Sequence, residues 1–429
     1  MSKQFLSSIF SFNQSFRRFS YKQVKRPSLN QLKDPNEKAA NDKRPKPTLN
    51  EYLRAKISSI GPLTVAEYMK ASLTYCDGGY YMNKDVFGRK GDFITSPEIT
   101  QIFGELVAIW LLHEWQKVGS PSPLQIVELG PGRGTMMHDV IRVLSRFGLK
   151  DLLSVHLVEV SPHLSELQAK RLCQSSEPTK DERYYHMGET SSNIPVLWYK
   201  RIEDLPNGFS IVLAHEFFDA LPIHKFQKTD GKWREILVDY NVDAKKYEFV
   251  VARKETPMLK LFLSHLDLDD EREHLEYSAE GHQILEHLSL RLEQFGGFSL
   301  VIDYGHDGTM TDTFRAFKNH EQRDPLMEPG SADLTANVDF KQMRKYVGKN
   351  DRMITFGPIK QLDFMKKLGG DVRIERLKES ATPDLISQLQ SGYDKLIDPN
   401  DMGSIYKVFS MFPSVLRKHL SKFPPTGFD

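Results

Sequence analysis

The sequence predicts an α/β protein built on a doubly wound, mostly parallel sheet that carries an antiparallel insertion. Three observations lead there. Short apolar runs alternate with stretches of helical periodicity between Leu124 and Ala214, and again between Ile284 and Tyr304. The first run ends in a glycine-rich turn that opens a helix, and the second ends on an acid. Strand, helix, strand in this order builds a parallel sheet, because parallel neighbours need a crossover connection.

Taken in order, the elements begin near Leu49, after a polar, proline-containing stretch from Pro27 to Pro47 that reads as a linker. Thr64 and Glu67 have the spacing of a capping box and predict a helix start. Asp77 to Asp92 is turn-rich. Ser96-Pro97 then predicts a second helix, with serine as N-cap, proline at the first helical position, and Phe103, Leu106, Val107, Trp110, Leu111 and Trp115 on its apolar face. Leu124–Leu129 is a strand, Met136 to Phe147 a helix, and Val155–Val160 a strand. Ser161-Pro162 caps a helix bearing Leu164, Leu167 and Leu172, and Val196–Tyr199 and Ile211–Ala214 are two more strands. After Pro222 the pattern changes to strands at Ile223–Phe226, Trp233–Asp239 and Tyr247–Ala252, with Asp230-Gly231 as a hairpin turn. A helix through Ile284 to Phe295, a buried strand at Phe298–Tyr304 and a last strand at Ile405–Phe409 complete the pattern. The divisions that follow are 1–33 leader, 34–48 linker, 49–123 N-terminal helical and lid region, 124–222 cofactor-binding core, 223–280 insertion, 281–414 remainder of the core with substrate-side elements, and 415–429 tail.

Composition bounds the function. With 58 basic and 57 acidic residues the chain has no general affinity for nucleic acid. Its longest apolar run, Leu106 to Leu112, is far short of the ~18 residues a membrane helix needs. Two cysteines, Cys76 and Cys173, build neither a disulfide framework nor a cysteine-rich zinc site. The charge is uneven, however. No acid precedes Asp34, whereas residues 1–33 hold seven basic residues and a serine bias, and Phe5, Ile9, Phe12 and Phe16 share one helical face. That is the signature of a mitochondrial transit peptide. Without it the chain carries 51 basic and 57 acidic residues, a mildly acidic balance suited to a cationic partner.

The sharpest motif is Glu128-Leu129-Gly130-Pro131-Gly132-Arg133-Gly134, between a strand and a helix. Gly130, Gly132 and Gly134 let backbone approach a ligand closely, and the helix start offers free N–H groups to a carboxylate. Glu128 is placed to hold an ammonium group. An acid before G-x-G-x-G differs from the G-x-G-x-x-G that cradles a pyrophosphate. The set suits S-adenosylmethionine, which has an amino group, a carboxylate and a ribose but no phosphate. Glu159, ending the second strand 25 residues after Gly134, is placed for the ribose hydroxyls. Glu203 and Asp204, after the third strand, are candidates for the adenine amino group or else a solvated turn. At the end of the fourth strand, His215-Glu216-Phe217-Phe218-Asp219 places Glu216 and Asp219 as candidate catalytic carboxylates. Phe217 or Phe218 could supply an aromatic wall, with core packing as the plain alternative, and His215 reads as structural before it reads as a base. Asp92, Thr95 and Ser96 are candidate lid residues; Asp303 and Tyr304 could face the same crevice; Arg315, Asp333, Thr335 and Asn337 read as a second polar wall.

These strings, together with Gly91-Asp92-Phe93-Ile94-Thr95-Ser96-Pro97-Glu98, Glu216-Phe217-Phe218-Asp219-Ala220-Leu221-Pro222, Asp303-Tyr304-Gly305 and Pro329-Gly330-Ser331-Ala332-Asp333-Leu334-Thr335-Ala336-Asn337-Val338-Asp339-Phe340, resemble the MidA family of methyltransferases. The resemblance runs from about Leu53 to Phe412. It implies a Rossmann-like, seven-stranded class I methyltransferase domain with an N-terminal helical extension and an insertion, and cofactor contacts at Gly130, Gly132, Gly134 and Glu159. It also implies symmetric dimethylation of a protein arginine, a respiratory complex I core subunit as substrate, a role in complex I assembly, and the mitochondrial matrix as location. Two other readings stand beside it: a non-catalytic assembly chaperone that keeps the cofactor structurally, and a nicotinamide-dependent oxidoreductase, which the glycine spacing disfavours.

Overall fold

Six consecutive buried residues, Leu-Gln-Ile-Val-Glu-Leu, make up the first strand of the central sheet, β1 (Leu124–Leu129). A strand buried on both faces reads as a continuous apolar run, and its alternate residues serve two different cores. Ile126, Ile211, Leu213, Leu300 and Ile302 pack into one core; Val127, Leu129, Val212, Ala214 and Val301 pack into the other. The computed structural model describes residues 47–82, 95–266 and 270–428. The leader 1–33, the linker as far as Lys46 and Asp92 with its loop lie outside them.

The other strands of this sheet are β2 (Leu153–Val158), β3 (Pro195–Tyr199), β4 (Ser210–His215), β5 (Gly297–His306), β6 (Met353–Lys360) and β7 (Tyr406–Pro413). They lie in the order β3-β2-β1-β4-β5-β7-β6. Only β7 runs antiparallel to its neighbours. This is the seven-stranded α/β sheet that the resemblance implies. An antiparallel hairpin, Ser175–Pro178 with His186–Glu189, extends it beyond β3 and has no apolar signature in the sequence. The chain order reverses beside β1, where β2 leaves to one side and β4 to the other, and ligand crevices form at the carboxyl ends of such strands.

Between the described segments, residues from Pro47 onward form one compact unit. The expected insertion is present as strands His224–Thr229, Lys232–Asn241 and Lys246–Val251, with Asp230 and Gly231 both at positive φ (52° and 73°) in the first hairpin. It does not stand alone. Leu63–Thr64 pairs with Leu237–Val238, so the N-terminal helices and the insertion share a sheet and a core. Thr64 caps the helix Val65–Thr74 through a complete capping box with Glu67, as the spacing predicts. Thr48 and Glu51 do the same for Leu49–Ile60.

One helix start is corrected. Ser96 is not an N-cap: it is the first residue of a single turn, Ser96–Ile99, whose N-cap position is Thr95 with no side-chain cap, and Thr100 is extended (φ −156°, ψ 142°) and caps a second helix, Gln101–Lys117. The break lets Ser96 turn inward, where its N–H donates to Glu216. The segment expected as a tail is also docked. Trp110, wholly buried, donates its Nε1–H to the Thr426 carbonyl at 2.9 Å and lies edge-on to Phe298 and Phe412. Lys117 Nζ and Glu114 Oε1 hold Pro424 and Thr426 beside it. Because this indole joins helix, sheet and C-terminus, Trp110→Ala should lower stability by about 3–5 kcal/mol in urea unfolding; a loss below ~1 kcal/mol would show that the contact is dispensable.

Candidate active site

The carboxyl ends of β1, β2, β4 and β5 and the amino end of antiparallel β7 open on one cleft of about 560 Å³. That volume suits a cofactor-sized ligand. On one side of it, Gly130, Gly132 and Gly134 all take positive φ (61°, 54° and 75°), and Gly134 is the N-cap of the helix Thr135–Arg146. A side chain at Gly130 would place its Cβ 2.9 Å from the Phe217 ring, so glycine is required there by contact as well as by φ. Arg133 reaches Glu98 at 3.2 Å and ties the glycine turn to the Ser96–Ile99 turn.

Glu128 is buried, and its Oε2 has no hydrogen-bond partner. Burial pushes its pKa up to about 8. An orphaned acceptor of this kind fits a ligand ammonium. Glu159, also buried, accepts from the Ser161 N–H at 2.7 Å and from Gln168 Nε2 at 3.1 Å; burial raises it to about 7 and these donors partly oppose the rise. The same Gln168 Nε2 donates to the Gly132 carbonyl at 2.7 Å, while its Oε1 accepts from Trp198 Nε1 at 2.8 Å. One buried amide therefore fixes the glycine turn relative to the ribose-side acid. Sequence reasoning missed Gln168, because a lone glutamine on an amphipathic helix looks solvated. Glu128, Gly130, Gly132 and Glu159 all line the cleft; Gly134 does not, and packs against Gln168 and Leu172. Glu203 and Asp204 do not: they sit in a 3₁₀ turn, Ile202–Asp204, where half-exposed Glu203 pairs with Arg201 at 3.3 Å.

The other side of the cleft is acidic. Glu216 follows β4 at φ 49°, a conformation that strains a non-glycine residue. Its Oε1 accepts from Tyr406 at 2.8 Å. Burial, then the charge of Asp219, raises Glu216 to about 8; burial also raises Asp219 to about 6, with the Tyr304 hydroxyl opposing. Among the described residues no Lys or Arg pairs with either. Asp333 accepts from the Tyr81 hydroxyl at 2.6 Å across the cleft, and Arg315 lies over the Tyr304 ring at 5.3 Å. Of the expected polar wall, Arg315 and Asp333 line the cleft and Thr335 and Asn337 do not. Phe217 lines it, while Phe218 is core. His215 lies against Phe103, and burial drives its pKa down to about 3, so it stays neutral and serves packing. Thr95 lines the cleft as a lid residue would. Tyr81 and Tyr406 carried no signal in the sequence, since a tyrosine beside a turn or in a strand reads as core.

An acid–glycine turn at the reversal point of this sheet, with a second acid after β2, defines an S-adenosylmethionine-dependent methyltransferase. A family model of S-adenosyl-L-methionine-dependent methyltransferases matches residues 106–359. The mitochondrial protein arginine methyltransferase NDUFAF7 homolog of Drosophila melanogaster is 48% identical over 429 residues, covering 96% of this chain and 98% of that one. The Homo sapiens protein arginine methyltransferase NDUFAF7, mitochondrial, is 47% identical over 386 residues, covering 88% and 86%. In structure, the chain is similar to a COG1565 superfamily member from Burkholderia thailandensis crystallised with S-adenosyl-homocysteine (TM-score 0.69, 21% identity, 86% and 92% covered), a likeness of fold. The chain belongs to the family of mitochondrial protein arginine methyltransferases that the Drosophila and human proteins represent.

If the cofactor ammonium seats on Glu128, cofactor affinity depends on pH: burial raises Glu128 to about 8, an ammonium partner needs it ionised, and binding then releases protons below that pH. The Kd for S-adenosylhomocysteine should therefore fall between pH 6 and pH 8, with proton release in calorimetry at pH 7. Glu128→Gln should flatten that dependence. Gln168→Leu should weaken binding about 10- to 100-fold.

Proposed function

We propose that this protein transfers the S-adenosylmethionine methyl group to an arginine side chain of a protein, with Glu216 and Asp219 as the carboxylates that hold the guanidinium. One observation carries the reading: two carboxyl groups, shielded from water and ion-paired with no Lys or Arg among the described residues, line the same cleft as the glycine turn, with His215 Nε2, kept neutral by burial, 3.6 Å from Glu216 and the charge of Arg315 felt by Asp219. Such groups are costly unless a cation joins them. The name protein arginine methyltransferase, borne by relatives at 47–48% identity, supports the acceptor, and the chain covers nearly their whole length.

Arginine remains protonated at physiological pH, so its nitrogen must shed a proton as it gains a methyl group. The bound cofactor supplies an electrophilic methyl on a sulfonium. The chain supplies the rest. Near pH 7 Asp219 is largely ionised while Glu216 largely retains its proton, because burial has separated their affinities. An entering guanidinium favours ionisation of Glu216, whose carboxylate then pairs with the planar fork. Tyr406 and the Ser96 N–H orient it. As the methylated nitrogen loses its proton, a carboxylate of raised affinity is the suited acceptor. Phe217 offers a ring as the wall against the cation.

The substrate we assign is a core subunit of respiratory complex I, methylated in the mitochondrial matrix as it assembles, with symmetric dimethylarginine as product. The family resemblance and the acid-free, basic leader support these assignments. Mass spectrometry of that subunit, incubated with protein and cofactor, should show methylated arginine. Unmodified arginine with both partners bound would favour the chaperone reading instead. Glu216→Gln should keep S-adenosylhomocysteine affinity and lose about 100-fold or more in transfer rate. Transfer near wild type would remove Glu216 from the chemistry.

A further inference from the structure

The turn that carries Glu216 and Asp219 lies outside any helix or strand. It leaves β4 at His215, strains Glu216 into positive φ, and must present two like charges side by side. What it does have is three successive N–H groups, those of Phe217, Phe218 and Asp219, turned toward one point. A single carboxylate oxygen occupies that point. Asp303 Oδ2 accepts from Phe217 at 3.2 Å, Phe218 at 3.0 Å and Asp219 at 3.3 Å. Its Oδ1 accepts from the Tyr304 N–H at 3.0 Å. Three consecutive backbone N–H groups converging on an anion form a nest, an arrangement that usually receives a ligand phosphate or carboxylate. Here the anion is internal, supplied by β5 across more than eighty residues of sequence.

Asp303 is wholly buried, and among the described residues it has no Lys or Arg partner. A buried carboxylate without a cation is unfavourable, so one that merely filled space would be better replaced by an apolar residue. It also lies against Asp219 and Glu216, and burial together with those charges raises its proton affinity while the backbone donors oppose the rise. The register explains the position. Ile302 is opposite His215, and the Glu216 N–H donates to the Ile302 carbonyl at 3.0 Å, so Asp303 is the β5 residue that meets the chain just as it turns away from β4.

We propose that Asp303 is the positioning residue of the acceptor site: its carboxylate holds the Phe217–Asp219 backbone and so sets the separation and direction of Glu216 and Asp219 toward the substrate. The proposal rests on the reading of those two acids as the guanidinium site. Asp303 touches neither cofactor nor acceptor and works through the turn. It also places a third carboxyl group behind the two that face the cleft. The guanidinium therefore enters a field of three carboxyl groups of which it contacts two.

The test uses Asp303→Ser and Asp303→Asn in the full chain, with S-adenosylhomocysteine affinity within about threefold of wild type as the check on a folded cofactor site. Hydrogen exchange followed by mass spectrometry reads the anchor directly. Protection of the 217–219 amides should fall at least tenfold in Asp303→Ser while that of 130–134 is kept. kcat should fall about 100-fold, the cost of a catalytic group displaced by ~1 Å. Asp303→Asn keeps one acceptor oxygen and loses the charge, so its kcat should fall less and the acidic limb of its pH profile should move to lower pH. Unchanged protection overturns the anchor. Lost protection with kcat and pH profile unchanged overturns the positioning role. If Asp303→Ser does not fold, the same readings on Asp303→Asn decide. Should the wild-type protein methylate no arginine, the acceptor reading fails, and the exchange result still decides whether Asp303 holds the turn.

Discussion

Burying a carboxyl group away from water without a cation costs several kcal/mol when it is ionised, and this sheet places five at its carboxyl edge. Glu128, Glu159, Glu216, Asp219 and Asp303 are shielded there, and among the described residues none pairs with Lys or Arg. The protein lowers the cost in two ways: it raises proton affinities, and it supplies backbone and amide donors. Donors from Ser161 and Gln168 serve Glu159, and a nest of N–H groups serves Asp303. Glu128 and Asp219 keep unpartnered oxygens. What remains uncompensated is a demand for positive charge, which the ammonium group of a methyl-donor cofactor and, in the function we propose, an acceptor guanidinium would meet in one cleft.

The rest of the chain makes that edge possible. Apolar residues on alternate sides of β1, β4 and β5 fill two cores, so the strands are rigid and only their ends vary. The insertion pairs with Leu63–Thr64, and the N-terminal segment lines the cleft with Leu73, Thr74 and Tyr81, where Tyr81 meets Asp333. The Ser96–Ile99 turn is part of the same enclosure, joined to the glycine turn by Arg133 and to Glu216 by a backbone donor.

Much of this was legible beforehand. Alternating strand and helix periodicity located β1 to β5, and the insertion hairpin followed from Asp230-Gly231. The acid–glycine turn, Glu159, Glu216 and Asp219 were found because strand ends in such sheets face ligands, so position in the pattern implied position in the cleft. Glu203 and Asp204 follow a strand too, yet a short 3₁₀ turn directs them to solvent, and nothing in their spacing says so. Roles that depend on reaching across the fold left no trace. Gln168 joins two loops and Tyr406 comes to Glu216 from 190 residues away, and Asp303, expected only as a residue facing the crevice, holds the turn after β4 instead. Their partners are distant in sequence, and local periodicity carries no information about such pairs.

By itself, then, the sequence determined the fold class, the cofactor chemistry and the carboxylates of the site, because these depend on residue type at fixed offsets from a strand end. Only the tertiary structure decided how those carboxylates are held, which of them lack partners and how their proton affinities diverge. Desolvation and hydrogen bonding are set by what surrounds a group in space, and here the surroundings are assembled from segments hundreds of residues apart.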